Sequence, residues 1–202
     1  MPLSRADSKT IETLAANVES RTGVQVVVAA IDKADNYIEL PWKAFALGAS
    51  MAAFVTVIWD LWRPQWVTSE TALLSAFVIL GAASACALLA VFIPRFARLF
   101  LRTTRGHLEV QQYARSLFLT RELFRTRSRI AVLILVSRFE RRVEILPDVG
   151  LHDRVTEAEW RRVIDVMAVR LREARPVHAV QEGLAAVEHL LASKGFRGER
   201  GA

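Results

Sequence analysis

Four aspartates are the residues of this chain that are placed to do chemistry together. Asp32 and Asp35 follow one strand-like run, and Asp148 and Asp153 follow another. Carboxylates at one edge of a sheet can hold a hard cation such as calcium, which takes six to eight oxygen ligands. The spacing therefore makes Asp32, Asp35, Asp148 and Asp153 a candidate metal set, and calcium is expected to stabilise the fold. No catalytic constellation accompanies them. A cysteine phosphatase needs its thiolate over a phosphate-cradling loop, and the single cysteine, Cys86, lies in an apolar run. Asp148 is followed by Val149 and Gly150, so the paired-aspartate spacing of aspartyl-phosphate enzymes is missing. There is no phosphate-binding Gly-Lys-Ser/Thr loop, no His-Glu-x-x-His and no Gly-x-Ser-x-Gly. His107, His152, His178 and His189 are scattered without ligand spacing.

A second group is cationic. Arg95, Arg98, Arg102 and Arg105 recur at steps of three and four, the spacing of one helical face, with Phe96, Leu99, Phe100 and Thr103 on another. This predicts an amphipathic interfacial helix over 95–106 that binds anionic lipid headgroups. The surrounding stretch 95–142 carries twelve arginines and three glutamates, a local charge of +9, against −2 for residues 1–42 and +6 for the whole chain. Such a block can attract nucleic acid, but no recognition motif accompanies it, and its place beside a span selects the membrane surface.

The elements that must position these groups follow from the hydrophobic pattern. Two apolar runs predict transmembrane helices over about 44–60 and 71–93, each near the length that crosses a bilayer core of roughly 30 Å. With the connection between them, they form a hairpin over 41–94. Arg63 is the one basic residue of that connection, whereas Lys43 and the Arg95–Arg105 ladder flank the hairpin on its other side. The asymmetry places both termini and the soluble domain in the cytoplasm. Trp42 at one end, and Trp59, Trp62 and Trp66 at the other, suit the interfacial belts. The first ten residues have no apolar core, so the hairpin is expected to direct insertion.

Around the hairpin the pattern alternates helix and strand. A helix over about 9–20, capped by Asp7 or Ser8, ends at Gly23 and leads to a β-branched strand over 24–31. After the spans come a helix over about 107–125, a buried strand over 130–137 and a turn at Arg138–Arg141. A partner strand over 142–146 with Val143 and Ile145 inward follows. Thr156 and Glu159 have capping-box spacing, and Trp160 reads as a core anchor of the helix they open. Pro176 starts a last helix, and the tail 197–202 is expected to be loose. Strands 24–31 and 130–137 should pair in parallel and the hairpin strand antiparallel. The fold class is α/β: a small α/β/α sandwich with a mixed sheet, built from residues 1–40 and 107–196 and interrupted by a transmembrane helical hairpin.

The segments 118–137 and 140–151, with Trp160 and Gly183-Leu184, resemble the second half of a TPM domain, and Thr22–Val28 after an N-terminal helix is similar to its first strand. The chain resembles the bacterial membrane branch of that family, where two spans interrupt the domain. The resemblance implies an α/β/α sandwich in the bacterial cytoplasmic (inner) membrane. It implies a non-enzymatic role in assembling or maintaining a membrane complex through an unidentified membrane-protein partner. Soluble members include a thylakoid-lumen acid phosphatase linked to photosystem repair, a modulator of an animal ligand-gated channel, and calcium-binding proteins. A divalent-metal-dependent phosphatase and an anionic-lipid or envelope sensor are therefore the alternatives. Asp148 matches the acidic position of the membrane branch's Leu-Pro-Asp-x-Gly stretch; the phosphatase residues of the soluble members have no assigned counterparts.

Overall fold

The computed structural model describes residues 5–62, 68–126, 129–173 and 175–198. Arg63, Trp66 and the end of the tail lie outside them. The chain contains two compact units, one of residues 1–34 and 104–202 and one of residues 35–103.

The first unit is the α/β/α sandwich. Helix α1 (Arg5–Thr22) ends at Gly23, whose φ of +70° turns the chain while its N–H donates to the Glu19 carbonyl at 2.7 Å. Left-handed backbone costs a residue with a side chain, so glycine suits this position. Strand β1 (Gln25–Ile31) pairs in parallel with β2 (Ala131–Ser137), Gln25 opposite Ala131. Strand β3 (Arg142–Pro147) returns antiparallel, so the order is β1-β2-β3. All seven residues of β2 are buried. Val132, Ile134 and Val136 meet side chains of α1, α6 (Glu157–Arg172) and α7 (Pro176–Ser193). Ala131, Leu133 and Leu135 meet Val110 and Ala114 of α5 (Thr103–Thr120). A continuous apolar run is what a central strand covered on both faces requires. The β1 run reads the same way in sequence, yet only Val26 is buried there, because β1 is an edge.

The closing helices follow their signals. Thr156 and Glu159 form a capping box, with the Thr156 N–H donating to Glu159 Oε2 at 2.9 Å. Lys194 Nζ lies 2.7 Å from Glu159 Oε1. The Lys194 bond first, then those from Thr156, hold the Glu159 carboxyl at about 2. Gly183 lets α7 approach α6: a Cβ there would sit 2.4 Å from Met167 Sδ. The chain past α7 is not loose where it is described. Phe196 is buried, and the Gly198 N–H donates to the Arg21 carbonyl at 2.8 Å.

The second unit holds α2 (Glu39–Trp62) and α3 (Ser69–Phe92), each of 24 residues. Both are long and apolar enough to cross a membrane. Their burial is inverted relative to the sandwich. Phe54, Trp59, Leu74 and Phe77 are exposed, whereas Gly48, Ala83 and Ala90 are buried. A Cβ on Gly48 would lie 2.9 Å from Cys86 Sγ and 3.0 Å from the Ala82 carbonyl oxygen, so small residues set how closely the helices meet. Cys86 is thus a packing residue of this seam.

The basic segment departs from expectation. Ile93 is extended and Pro94 opens a four-residue helix, α4 (Pro94–Ala97), followed by a 3-10 turn at Arg98–Phe100 and a break at Leu101. Arg95 lies in α4, Arg98 in the 3-10 turn, Arg102 in the break and Arg105 in α5. The four arginines therefore do not share the face of one helix over 95–106. Proline ends α3 and the extended Leu101 interrupts the helical phase that the three-and-four spacing assumes.

Candidate functional site

The register decides which aspartates can meet. Ile31 lies opposite Ser137, so Asp32 follows the end of β1 beside the β2–β3 hairpin. Pro147 lies opposite Val132, so Asp148 follows β3 beside the start of β2. The whole length of β2, about 20 Å for a strand of seven residues, separates the two positions. The expected convergence of Asp32 with Asp148 at one edge of the sheet is therefore corrected. An antiparallel hairpin carries the end of its second strand back to the start of its first.

At the hairpin end Asp32, Ser137, Arg138 and Glu140 are bonded to one another and to the backbone. Asp32 Oδ1 accepts from Arg138 Nη1 at 2.6 Å, and the Phe139 N–H donates to the Asp32 carbonyl at 2.9 Å. Glu140 Oε1 accepts from the Ala34 N–H at 3.0 Å and Oε2 from the fully buried Ser137 hydroxyl. Glu140 is thus more than a turn residue, since it ties the hairpin to the segment after β1. Arg141 completes the turn with φ of +52°. Asp35 Oδ1 accepts from the Asn36 N–H at 2.7 Å in its own turn, and Asp153 is exposed.

At the opposite end Asp148 is 3% exposed. Its N–H donates to the Ala131 carbonyl at 2.8 Å, and its Oδ1 accepts from the Val149 N–H at 2.8 Å. Oδ2 has no hydrogen-bond partner among the described residues; the Arg129 Nε lies 4.0 Å away. Arg129 is held with φ of +51° by bonds of its own N–H to the Thr126 carbonyl and of the Gly150 N–H to its carbonyl, both 3.0 Å. Left-handed backbone at a residue with a side chain costs about 1–2 kcal/mol. Here that strain carries the guanidinium to the carboxylate. Both residues line a cavity of about 500 Å³ whose other walls include Phe118, Leu119, Phe124 and Leu146, with Arg115 beside them. The arrangement is a mostly apolar groove with a carboxylate oxygen buried beneath its wall and unpartnered among the described residues.

A larger groove, about 720 Å³, runs along the outer edge of β3 between α5 and α6. Glu144 points to the α5 side, where burial raises its carboxyl above the usual range, opposed by His107, a hydrogen bond from Gln111, Arg115 and Arg142. Trp160 lines the other wall, 5% exposed, and its indole N–H has no acceptor among the described residues. His107 and His152 line this groove and are exposed, as are His178 and His189.

Among the described residues no three of His, Cys, Asp and Glu are grouped to hold an ion, and Asp148 faces a guanidinium where a cation site needs further oxygens. Sequence reasoning singled out Asp148 and read Trp160 as a core anchor, which it is, but missed Arg129, Glu144 and the indole donor. The only signal for Glu144 was its place as a lone acid on an alternating strand. Nothing in the sequence marks Arg129, since its role depends on a backbone twist.

The TPM domain family matches residues 69–190 of this chain. No curated protein matches it. Among solved structures, the chain is similar in fold to the BA42 protein of the psychrophilic bacterium Bizionia argentinensis, at 12% identity and a TM-score of 0.57, covering 99% of this chain and 88% of that one. It is also similar to the N-terminal domain of a protein from P. gingivalis, at 13% identity and a TM-score of 0.49, covering 99% and 83%.

Proposed function

We propose, from the premise that this chain belongs to the TPM domain family, that it is a membrane-anchored binding domain. Helices α2 and α3 cross the bacterial cytoplasmic membrane as a hairpin. The sandwich stays on the cytoplasmic side and binds a membrane-protein partner to assemble or maintain a complex. The role is non-enzymatic.

The inverted burial of α2 and α3 carries this reading. A helix pair in water hides its large apolar side chains, but this pair turns Phe54, Trp59, Leu74 and Phe77 outward and packs on Gly48, Ala83 and Cys86. Lipid removes the penalty for outward apolar groups, and small residues then let helix backbones approach. The positive charge beside α3 supports the orientation, because Arg95, Arg98, Arg102 and Arg105 flank the hairpin on the side of the domain. The same arginines are proposed to touch anionic headgroups, each contributing about 1 kcal/mol near the surface. They do so from a short helix, a turn and a break rather than from one interfacial helix. The binding role is supported by the two grooves beside Asp148 and Trp160, whose walls bury a carboxylate oxygen and an indole N–H without hydrogen-bond partners among the described residues.

Reporter fusions at Trp66 and at the C-terminus test the topology: opposite sides, with a cytoplasmic C-terminus, are expected. Replacing the four arginines by glutamate should hinder insertion or invert the hairpin. Purification of the full chain in detergent should recover a stoichiometric membrane protein. Turnover of phosphoesters with added divalent ions would instead make it a phosphatase, and liposome binding without any protein partner would make it a lipid sensor.

A further inference from the structure

Strand β3 is one of the two edges of the sheet, so alternate residues turn their backbone groups away from β2. The Asp148 N–H bond to the Ala131 carbonyl sets the phase of the β2–β3 ladder. In an antiparallel pair the inward-bonding residues alternate. Residues 142, 144 and 146 therefore turn their backbone groups to β2. Val143 and Ile145 turn theirs outward, and Pro147 presents a carbonyl alone because proline has no N–H. Only another extended backbone offers acceptors and donors at this two-residue repeat, roughly 7 Å along a strand.

We propose that this edge takes a short extended segment of the partner, alternating apolar and acidic residues, as a fourth strand of the sheet. The inference rests on the binding-domain reading and names what is bound. Three features of the groove specify the occupant. Its volume, about 720 Å³, lies along the strand rather than at its end. On the α6 side the wall is the Trp160 ring and Ile164, with Glu157 and Arg161 paired to each other at its rim, and the two apolar residues suit apolar side chains. The indole N–H behind that wall is buried without an acceptor among the described residues, which costs about 1–3 kcal/mol, and a small rotation of the ring on binding would bring it to a carbonyl or carboxylate of the added segment. On the α5 side the groove is lined by Glu144, His107 and Arg142, and Arg115 acts on Glu144 from outside the lining, so the arginines outnumber the carboxylate and favour acidic side chains. Alternate residues of an added strand face opposite walls, which produces the apolar–acidic alternation. The β1 edge lacks these features. The cavity beside it is about 260 Å³, and Arg138 at that cavity is already bonded to Asp32.

The test uses the full chain in detergent and three labelled synthetic peptides. The first repeats valine and glutamate, the second repeats valine and lysine, and the third is the acidic peptide N-methylated at alternate residues. The acidic peptide should bind and slow hydrogen exchange of the Val143 and Ile145 amides by at least about tenfold, the lysine peptide should bind at least about tenfold more weakly, and the N-methylated peptide should not bind. Trp160→Phe, which removes the donor together with part of the indole, should weaken binding of the acidic peptide several-fold beyond any loss shown by the lysine peptide, with the melting temperature recorded to account for the lost core packing. Equal binding of the N-methylated peptide, protection confined to other amides, or no binding by the acidic peptide overturns the proposal. A dimer of the full chain whose Val143 and Ile145 amides are protected without peptide also overturns it, in favour of self-pairing. Topology and co-purification do not depend on these amides, so the binding-domain reading can stand if the strand site fails.

Discussion

The two ends of the sheet hold similar residues in opposite states. Each has an aspartate following a strand, a nearby arginine, and an arginine in left-handed backbone. At the hairpin end Asp32, Arg138, Glu140 and Ser137 satisfy one another and tie β1 to the β2–β3 turn. At the other end Asp148 is more deeply buried yet bonds through one oxygen only, with Arg129 at 4.0 Å. The contrast teaches that burial alone does not mark a structural carboxylate. The exposed Asp32 is engaged in holding the fold, and the buried Asp148 keeps one oxygen without a hydrogen-bond partner among the described residues beside an apolar groove. A group left in that state is the one a ligand or partner can change.

The largest break in this comparison should come from Glu140→Ala. It removes two bonds and leaves the buried Ser137 hydroxyl without its acceptor, so a loss of about 2–3 kcal/mol is expected in urea unfolding of the full chain in detergent. A loss under about 0.5 kcal/mol would show that the hairpin end is no better secured than the other. Next in size, Arg141→Gly should stabilise by roughly 1 kcal/mol through relief of left-handed strain at φ of +52°. Arg129→Gly relieves the same strain but strips Asp148 of its neighbouring cation. Its gain should be smaller, and equal gains would mean that the Arg129 guanidinium does nothing for Asp148.

A smaller effect sharpens the open end. A double-mutant cycle of Asp148→Asn with Arg129→Ala should give a coupling of about 0.5–1 kcal/mol, since the pair is long and Arg129 is largely exposed. A coupling near that of a buried pair would mean that the two residues form a closed bridge and leave no open oxygen.

The smallest effect is on pH. Burial raises the Glu144 carboxyl above its ordinary 4.5. The folded state then binds more protons than the unfolded one, so this group's contribution falls as pH rises through the folded value. Glu159 acts in the opposite sense. Held at about 2 against an ordinary 4.5, it contributes stability that is present above 4.5 and lost as pH falls toward 2. Glu144→Gln should remove the first slope and leave the second, as read from melting temperature against pH.

Much of this was legible in the sequence because it is local. The capping box of Thr156 and Glu159, the terminator at Gly23, Pro176 at the start of α7 and the two apolar runs each rest on residues a few positions apart. The apolar β2 run also read correctly, because a strand buried on both faces must be apolar throughout. The β1 run looked the same and is an edge, since the period of a strand does not say how many neighbours it has. The arginine ladder failed for a related reason. Its spacing assumes one helix, and Pro94 and Leu101 divide the segment.

By itself, the sequence determined the order and kind of the elements, the long apolar helices α2 and α3, and the sidedness of charge around them, because periodicity and composition are properties of neighbouring residues. Tertiary structure alone decided which acids meet. Strand direction sends Asp148 to the end opposite Asp32, the left-handed twist at Arg129 brings a guanidinium to it, and the ladder phase turns Val143 and Ile145 outward. Each of these depends on pairing between residues far apart in the chain, which local pattern does not encode.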